Sequence, residues 1–335
     1  TRAQRLRSLG VSIYADNGTK ELIEQVIEGF AEPAKAIALE ARQVRRKLGR
    51  TARGASVPAQ LRRQASDLAE AVVAECTRLS EAVDPTALLD TQFRMLPSHL
   101  FAQEDFAVAS LIALQLEREI TGWGIERFDQ RNRRSLALHH RALQDPRCRG
   151  ARVYAVLSAM DYNTARSAGR LAARAGVNHI AFGAASITLN ATAVDFFTLG
   201  RASRQLAMPA PRRYVRLAQV VRGFVDGYRD AGRIPESLHA LGLGNPFMFP
   251  ILAAAAGSVP TLTLDATSPI HDAAKDEVLY DELADGDRIG RLEIVERIVK
   301  GGNWPLCPFC LGFSQQFGHD EAQAEAWFEE EGRPE

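Results

Sequence analysis

The sequence predicts an α/β protein built on a (β/α)8 barrel, with a helical insertion and a C-terminal zinc-binding appendage. Strand and helix patterns alternate from residue 11 to residue 265 without the short turn signals of β-hairpins. Polar residues follow several of these strands, where parallel α/β proteins carry their functional groups. A barrel needs roughly 250 residues. The chain has 335, of which 46% are hydrophobic and 24% charged.

The same patterns predict how the chain is divided. We expect a barrel domain over residues 1–300 and a cysteine-containing tail over residues 301–335. The helical insertion is predicted at about residues 32–90, where an alanine- and arginine-rich helical pattern is longer than a barrel connection requires. A doubly wound open sheet is the alternative, although no Gly-x-Gly-x-x-Gly turn follows an early strand.

In the first half of the barrel, two strands end at aspartates. The first strand runs into the turn Asp16-Asn17-Gly18, so Asp16 is either a catalytic group at a strand end or part of a favourable turn. The second strand leads to Asp105, which either contacts a ligand or caps the helix after it. The predicted strands cover residues 11–15 and 100–102, and the predicted helices cover residues 20–30, 106–118 and 134–143.

The second half shows the same alternation. The strand at residues 177–182 is followed by Gly183 and Ala184, whose small size lets a planar ligand approach the backbone or lets the next loop pack tightly. The apolar strand at residues 259–264 delivers Asp265, a candidate nucleophile or base that could equally cap the next turn. The other predicted elements are strands at residues 152–157 and 238–241 and helices at residues 163–175, 211–232 and 247–256.

Charge and cysteine content restrict the class of protein. Formal net charge is 0, with 41 basic and 41 acidic residues, but arginine outnumbers lysine and forms clusters such as the one between Arg42 and Arg53. Clustered guanidinium groups bind phosphates, and they also form ordinary solvated helix faces. Four cysteines do not make a disulfide scaffold at this length, and no signal peptide or long apolar segment is present. We therefore expect a cytoplasmic protein without membrane contact.

The C-terminal tail contains a metal-type motif. Cys307 and Cys310 are separated by two residues, and His319 follows them. Such a pair with a nearby histidine is half of a tetrahedral zinc site. A redox motif fits less well because no thioredoxin-like βαβ unit surrounds the pair. We predict a structural Zn²⁺ ion on Cys307 and Cys310, with His319 as candidate third ligand.

Taken in order, these motifs resemble those of the tRNA-guanine transglycosylase superfamily, and most closely its DNA-acting 7-deazaguanine branch. Residues 16–18 stand where the family has Asp-Ser-Gly-Gly-Phe, and residues 181–184 stand where it has Ala-Ile-Gly-Gly. Residues 242–246 are similar to its Gly-Val-Gly-Thr-Pro motif, and residues 263–269 to its Phe-Asp-Cys-Val-x-Pro-Thr-Arg motif. Residues 307–310 match the end of its Cys-x-Cys-x-x-Cys zinc run.

The resemblance implies base exchange without a nucleotide cofactor, in which a 7-deazaguanine base such as preQ0 replaces guanine in a polynucleotide. It implies Asp265 as the nucleophile of a covalent glycosyl intermediate and Asp16 as the general acid/base. DNA is the expected partner and tRNA the close alternative. Three further possibilities stay open: a catalytically silent barrel that binds nucleic acid, a need for partner proteins, and a homodimer. The residues implied in substrate binding are Asp105, Gly183, Ala184, Asn17 and Gly18.

The zinc motif predicts that the purified protein contains about one zinc ion per chain. Replacing Cys307 and Cys310 together by serine should remove the metal, because the two thiolates supply half of its ligands. Metal analysis of both proteins measures this, with Cys148→Ser as a control outside the motif that should retain zinc. A content well below one ion per chain in the unaltered protein would exclude the site.

Overall fold

The computed structural model describes residues 2–8, 10, 12–47, 57–183, 210–243, 248–264, 278–280 and 288–290. The chain divides into two compact units, residues 1–241 with 250–263 and residues 242–249 with 264–335. The predicted domain boundary between residues 300 and 301 lies outside the described residues. So do the predicted site residues Ala184, Asp265, Cys307, Cys310 and His319.

One parallel sheet organises the larger unit. Its six described strands follow each other in the sheet in chain order, and the pairs from β1 to β5 are parallel. Parallel neighbours need crossover connections, which helices supply here, and the sheet curls into a half-barrel. The parallel α/β architecture is confirmed, whereas closure by eight strands and the zinc appendage stay predictions. The strands are β1 (Tyr14–Ala15), β2 (His99–Phe101), β3 (Arg152–Leu157), β4 (His179–Gly183), β5 (Ser237–Leu241) and β6 (Thr261–Leu264).

Three of the six predicted helices, at residues 163–175, 211–232 and 247–256, lie within two residues of their predicted positions, whereas the helix predicted at residues 134–143 begins earlier, at Ile125. Local capping explains the start of one of them. The helix Tyr162–Arg174 begins after Asp161, whose carboxylate accepts from Thr164 N at 2.8 Å. The Thr164 hydroxyl in turn accepts from Asp161 N at 3.0 Å, which completes a capping box. The helices are α1 (Arg2–Ser8), α2 (Thr19–Lys47), α3 (Ala59–Ala82), α4 (Pro85–Phe93), α5 (Ala107–Ala113), α6 (Arg118–Thr121), α7 (Ile125–Gln144), α8 (Tyr162–Arg174), α9 (Ala210–Asp230) and α10 (Met248–Ala256).

The helix predicted at residues 20–30 does not end there. α2 continues through Pro33 to Lys47 and includes the first part of the predicted insertion. Proline inside a helix costs about 3 kcal/mol, because it removes an N–H and crowds the carbonyl four residues earlier, here that of Gly29. Burial of an apolar stripe against α3 and α5 stabilises the helix on both sides of the proline. The stripe consists of Val26, Ile27, Ala31, Ala34, Ala38 and Ala41.

The helix predicted at residues 106–118 is shorter than its apolar pattern indicates. α5 is followed by Gln115 in a left-handed conformation with a φ of 60°. Gln115 N donates to Ile112 O at 3.0 Å, and Leu116 N donates to Leu111 O at 2.9 Å. This is the Schellman arrangement that closes a helix. In a sequence this arrangement is usually marked by glycine at the left-handed position, which glutamine occupies here.

α8 and α9 cross so closely that glycine is required at their contact. A Cβ added to Gly169 would lie 2.3 Å from Phe224 O, and a Cβ added to Gly227 would lie 2.1 Å from Arg166 O. Both obstacles are backbone atoms, which cannot rotate away as a side chain can. The Phe224 ring packs on Phe182 of β4 with 5.6 Å between centroids, so the crossing also fixes the helix pair to the sheet.

The smaller unit contains an antiparallel strand pair. β7 (Val278–Tyr280) and β8 (Arg288–Gly290) are aligned so that Leu279 lies opposite Ile289. Among the helices that the structure describes in either unit, none combines the length and the apolar character needed to cross a membrane.

The α8–α9 crossing predicts opposite effects for two glycine substitutions. Gly227→Ala should lower the free energy of unfolding by about 1–3 kcal/mol, because the new Cβ overlaps Arg166 O. Gly29→Ala in α2 should raise it by about 0.4–1 kcal/mol, because the added Cβ meets nothing within 4 Å. Urea denaturation measures both changes, and equal stability of the two variants would contradict the close crossing.

Candidate functional site

The ends of neighbouring strands bring polar groups to one edge of the sheet. Asp16 follows β1, Glu104 lies in the segment after β2, Ser158 follows β3, and β4 ends at Gly183. The segments at the ends of β2, β3 and β4 border a cleft with about 250 Å³ of space, including the part open to solvent. Its lining residues are Glu104, Ala109, Ile112, Leu157, Ser158, Ala159, Phe182 and Gly183.

Side-chain hydrogen bonds shape the turn after β1. The carboxylate of the exposed Asp16 accepts from Asn17 N at 2.7 Å. Asn17 Nδ2 donates to Ala102 O just beyond β2 at 3.2 Å, and Asn17 Oδ1 accepts from the Thr19 hydroxyl at 2.6 Å. Gly18 supplies the positive φ of 68° that the turn requires. Asn17 thereby ties the turn that carries Asp16 to the end of β2.

Glu104 is the buried acid of the cleft, with 7% of its surface exposed. Burial, followed by the nearby negative charge of Asp16, raises the pKa of Glu104 to about 8. The Thr19 side chain lies against this carboxyl. This contact opposes the rise in the pKa of Glu104, but its effect is smaller than that of burial. The raised pKa favours the neutral carboxylic acid form of Glu104 at pH 7.

Asp105 is bound by the protein itself. Its Oδ2 lies 2.9 Å from Arg131 Nη1 and 3.7 Å from Arg134 Nε, and its Oδ1 accepts from Ala107 N at 3.2 Å. Its own N–H donates to Ser135 Oγ at 2.9 Å. Burial raises the pKa of Asp105, and the charge of Arg131 opposes that rise. Asp105 thus anchors the start of α5 to α7, and its contact with a base stays a prediction.

α7 also supports the end of β3. Asn132 is only 1% exposed and binds both backbone groups of Ser158. Asn132 Oδ1 accepts from Ser158 N at 2.9 Å, and Asn132 Nδ2 donates to Ser158 O at 2.9 Å. These two bonds satisfy the backbone where the strand has ended. They fix Ser158 in the wall of the cleft.

The sheet carries an aromatic cluster rich in histidine. Tyr14 stacks on His99 with 4.1 Å between ring centroids, and His239 lies 4.6 Å from Phe101. Burial lowers the pKa of His99 to about 4 and lowers that of His179 as well, so both are neutral at pH 7. Their Nδ1 atoms lie 2.9 and 2.8 Å from serine hydroxyls. In the described part of the chain, no group of three or more His, Cys, Asp or Glu side chains could hold a metal.

Half of the residues predicted for the site can be compared with the structure. Asp16, Asn17, Gly18, Asp105 and Gly183 all lie at or just after strand ends, and Gly183 lines the cleft. Asp265 directly follows Leu264, the last residue of β6, but is itself outside the described residues, like Ala184, Cys307, Cys310 and His319. Sequence reasoning missed Glu104, although it is the first acidic residue after an apolar strand.

Several arginines that the sequence suggests for phosphate binding hold acidic groups of the protein instead. Arg131 and Arg134 contact Asp105, as described above, and Arg216 lies 2.6 Å from Glu117 Oε1. The arginine side chains between residues 42 and 53 lie outside the described set.

Known proteins add no independent identification. Neither the protein-family models nor the curated proteins with which the chain was compared match it. The function is therefore inferred from the strand-end groups and from the sequence motifs.

Buried Glu104 predicts a pH-dependent contribution to stability. The folded chain keeps this proton to about pH 8, whereas an exposed glutamate releases it near pH 4.5. The folded state thus binds the extra proton in this window, and the free energy of unfolding falls as pH rises through it. Glu104→Gln removes the effect. Relative to that of the unaltered protein, the free energy of unfolding of the variant should rise by a few kcal/mol between about pH 5 and pH 8, as measured by urea denaturation.

Asp16→Asn provides the companion measurement for Glu104. The substitution removes a negative charge that raises the pKa of Glu104. The pH range over which the free energy of unfolding falls should therefore end at a lower pH. Parallel stability profiles of Glu104→Gln and the unaltered protein would show that Glu104 is already ionised when folded.

Proposed function

We propose that this chain is a transglycosylase that exchanges guanine in a polynucleotide for a 7-deazaguanine base through a covalent intermediate on Asp265. The observation that carries the proposal is a pair of carboxyl groups at adjacent strand ends, Asp16 and Glu104, in which the charge of Asp16 acts on Glu104 and Glu104 lines a cleft. Chemistry at a glycosidic bond requires carboxyl groups that differ in protonation. Burial of Glu104 and exposure of Asp16 give these two groups different protonation, so that Glu104 can hydrogen-bond the base while Asp16 exchanges protons.

The reaction has two displacement steps. An Asp265 carboxylate oxygen attacks the anomeric carbon, the bond from that carbon to N9 of guanine breaks, and its electron pair leaves with the base, which takes up a proton. The incoming 7-deazaguanine then gives up its N9 proton, and N9 attacks the same carbon. The ester to Asp265 breaks and the carboxylate is regenerated. One proton enters and one leaves per exchange.

Asp16 and Glu104 have separate tasks in this proposal. Asp16 is exposed at its strand end and acts as the acid/base that exchanges protons with the departing and incoming bases. Glu104 carries a proton at pH 7 and lines the cleft, so it can donate a hydrogen bond to an acceptor atom of the purine.

In this structure the enclosed part of the cleft has room for about one water molecule, so the cleft would have to widen before its walls could contact a planar base that has left its stack. Ile112, Leu157 and Phe182 provide apolar surface, and Gly183 adds no side chain that would obstruct a ring. Polar groups are few and come from Glu104 and the backbone-anchored Ser158. The base must be flipped out because a stacked nucleotide cannot bring its glycosidic bond to such a site.

The identity of the polynucleotide and the metal are proposed from the sequence motifs. DNA is the proposed substrate, tRNA is the alternative, and a base such as preQ0 is the incoming group. Cys307, Cys310 and His319 are the proposed ligands of a structural Zn²⁺ ion. A catalytically silent barrel would bind the strand and release no guanine.

Release of labelled guanine tests the proposal. Duplex DNA that carries labelled guanine should lose the label when the protein and a 7-deazaguanine base are both present. Asp265→Asn should reduce this release by about 10⁴-fold or more, because an amide does not form the glycosyl ester. A covalent protein–DNA adduct should be visible on denaturing gels for the unaltered protein and absent for the variant.

Asp84→Asn is the matched control, since it replaces the carboxylate that caps α4 by another good capping residue. It should release guanine like the unaltered protein. An adduct that survives Asp265→Asn would refute the nucleophile, release from tRNA alone would remove the DNA assignment, and strand binding without release from either would indicate the silent barrel.

A further inference from the structure

Gln92 joins the ends of β1 and β2 from a helix outside the sheet. It lies in the last turn of α4 and is 1% exposed. Its Nε2 donates to Asp16 O at 2.7 Å and to Phe101 O at 3.0 Å, and lies 3.4 Å from Ala15 O. One side-chain amide thus binds the backbone of both strands at the edge that carries the acidic groups.

The orientation of this amide follows from its partners. All three neighbouring atoms are carbonyl oxygens, which accept hydrogen bonds only, so the NH₂ group must face them. Gln92 Oε1 is buried and has no hydrogen-bond partner among the residues that the structure describes. Rotating the amide would bring that oxygen against the carbonyls. The three acceptors therefore determine the orientation of Gln92.

β1 needs this link because it is very short. It pairs with β2 only at Tyr14↔His99 and Ala15↔Leu100. That pairing ends at Ala15, and buried carbonyls at the end of a strand require donors. An NH₂ group carries two hydrogens, and the two shorter contacts go to one strand each.

We propose that Gln92 is a positioning residue that sets the separation of Asp16 and Glu104. The inference rests on the function proposed above and adds a residue to that site. Gln92 binds the backbone carbonyl of Asp16 itself and that of Phe101, the last residue of β2 before the segment that carries Glu104. The Asn17–Ala102 bond is a second link between the same segments.

A side chain that only fills space would not have this arrangement. An apolar residue of similar length fills the same volume but cannot donate the hydrogen bonds that Gln92 gives to the carbonyls of Asp16 and Phe101. The turn and the strand end can then separate, and electrostatic coupling between two carboxyl groups falls with distance. Displacement of a catalytic group by about 1 Å can reduce a rate about 100-fold.

Gln92→Met tests the proposal by a measurement that does not depend on catalytic activity. Carboxyl-carbon NMR of protein labelled at glutamate follows the titration of Glu104. In the variant, the pKa of Glu104 should fall from about 8 towards 4.5, since Asp16 moves away and water reaches the cleft. In guanine release, kcat should fall about 100-fold while KM changes less than about twofold.

Leu61→Ala is the matched control, because it removes buried apolar volume from α3 without touching either strand. It should leave the titration of Glu104 and kcat as they are in the unaltered protein. Gln92→Asn, whose amide is one methylene shorter, should shift the Glu104 titration in the same direction, and it replaces Gln92→Met if that variant does not fold.

An unchanged Glu104 titration in the Gln92 variants, or an equal shift in Leu61→Ala, would overturn the positioning role. If the unaltered protein releases no guanine, the proposed function fails. The titration still decides whether Gln92 sets the distance between the two carboxyl groups.

Discussion

The edge of the sheet that carries the acidic groups depends on hydrogen bonds from side chains to backbone carbonyls at the ends of β1 and β2. β1 pairs with β2 at only two positions, and the bonds from Gln92 and Asn17 extend its pairing beyond the ladder. A buried carbonyl that loses its donor costs about 1–3 kcal/mol. The same bonds that stabilise the strand ends therefore determine where Asp16 lies relative to β2.

Two adjacent acidic residues after β2 acquire different chemistry from their surroundings. Asp105 is held by Arg131 and by the start of α5, whereas Glu104 is buried in the wall of the cleft, and no arginine of the described residues is among the groups that shift its pKa. Burial raises the pKa of both carboxyls, and at Asp105 the charge of Arg131 opposes that rise. Every residue of α5 is buried, and so are Glu104 and Asp105 in the segment that precedes it.

Helices behind the sheet make this edge rigid. Successive turns of α7 present Arg131, Asn132 and Ser135, which bind the segments after β2 and β3. The glycine contacts between α8 and α9 fix the pair that packs on β4. These contacts are made by side chains that match particular backbone groups, so hydrophobic pattern alone does not reveal them. A sequence predicts that a helix is present and not which carbonyl its asparagine binds.

The sequence by itself determined the alternation of strands and helices and the position of Asp16 at a strand end. Apolar periodicity and turn residues are local properties of the chain, and they survive in almost any packing. Only the tertiary structure decided that α2 passes through Pro33, that α5 closes at Gln115, and that Glu104 rather than Asp105 lines the cleft. Each of these outcomes depends on the burial and the hydrogen-bond partners supplied by residues far away in the chain, which no local pattern encodes.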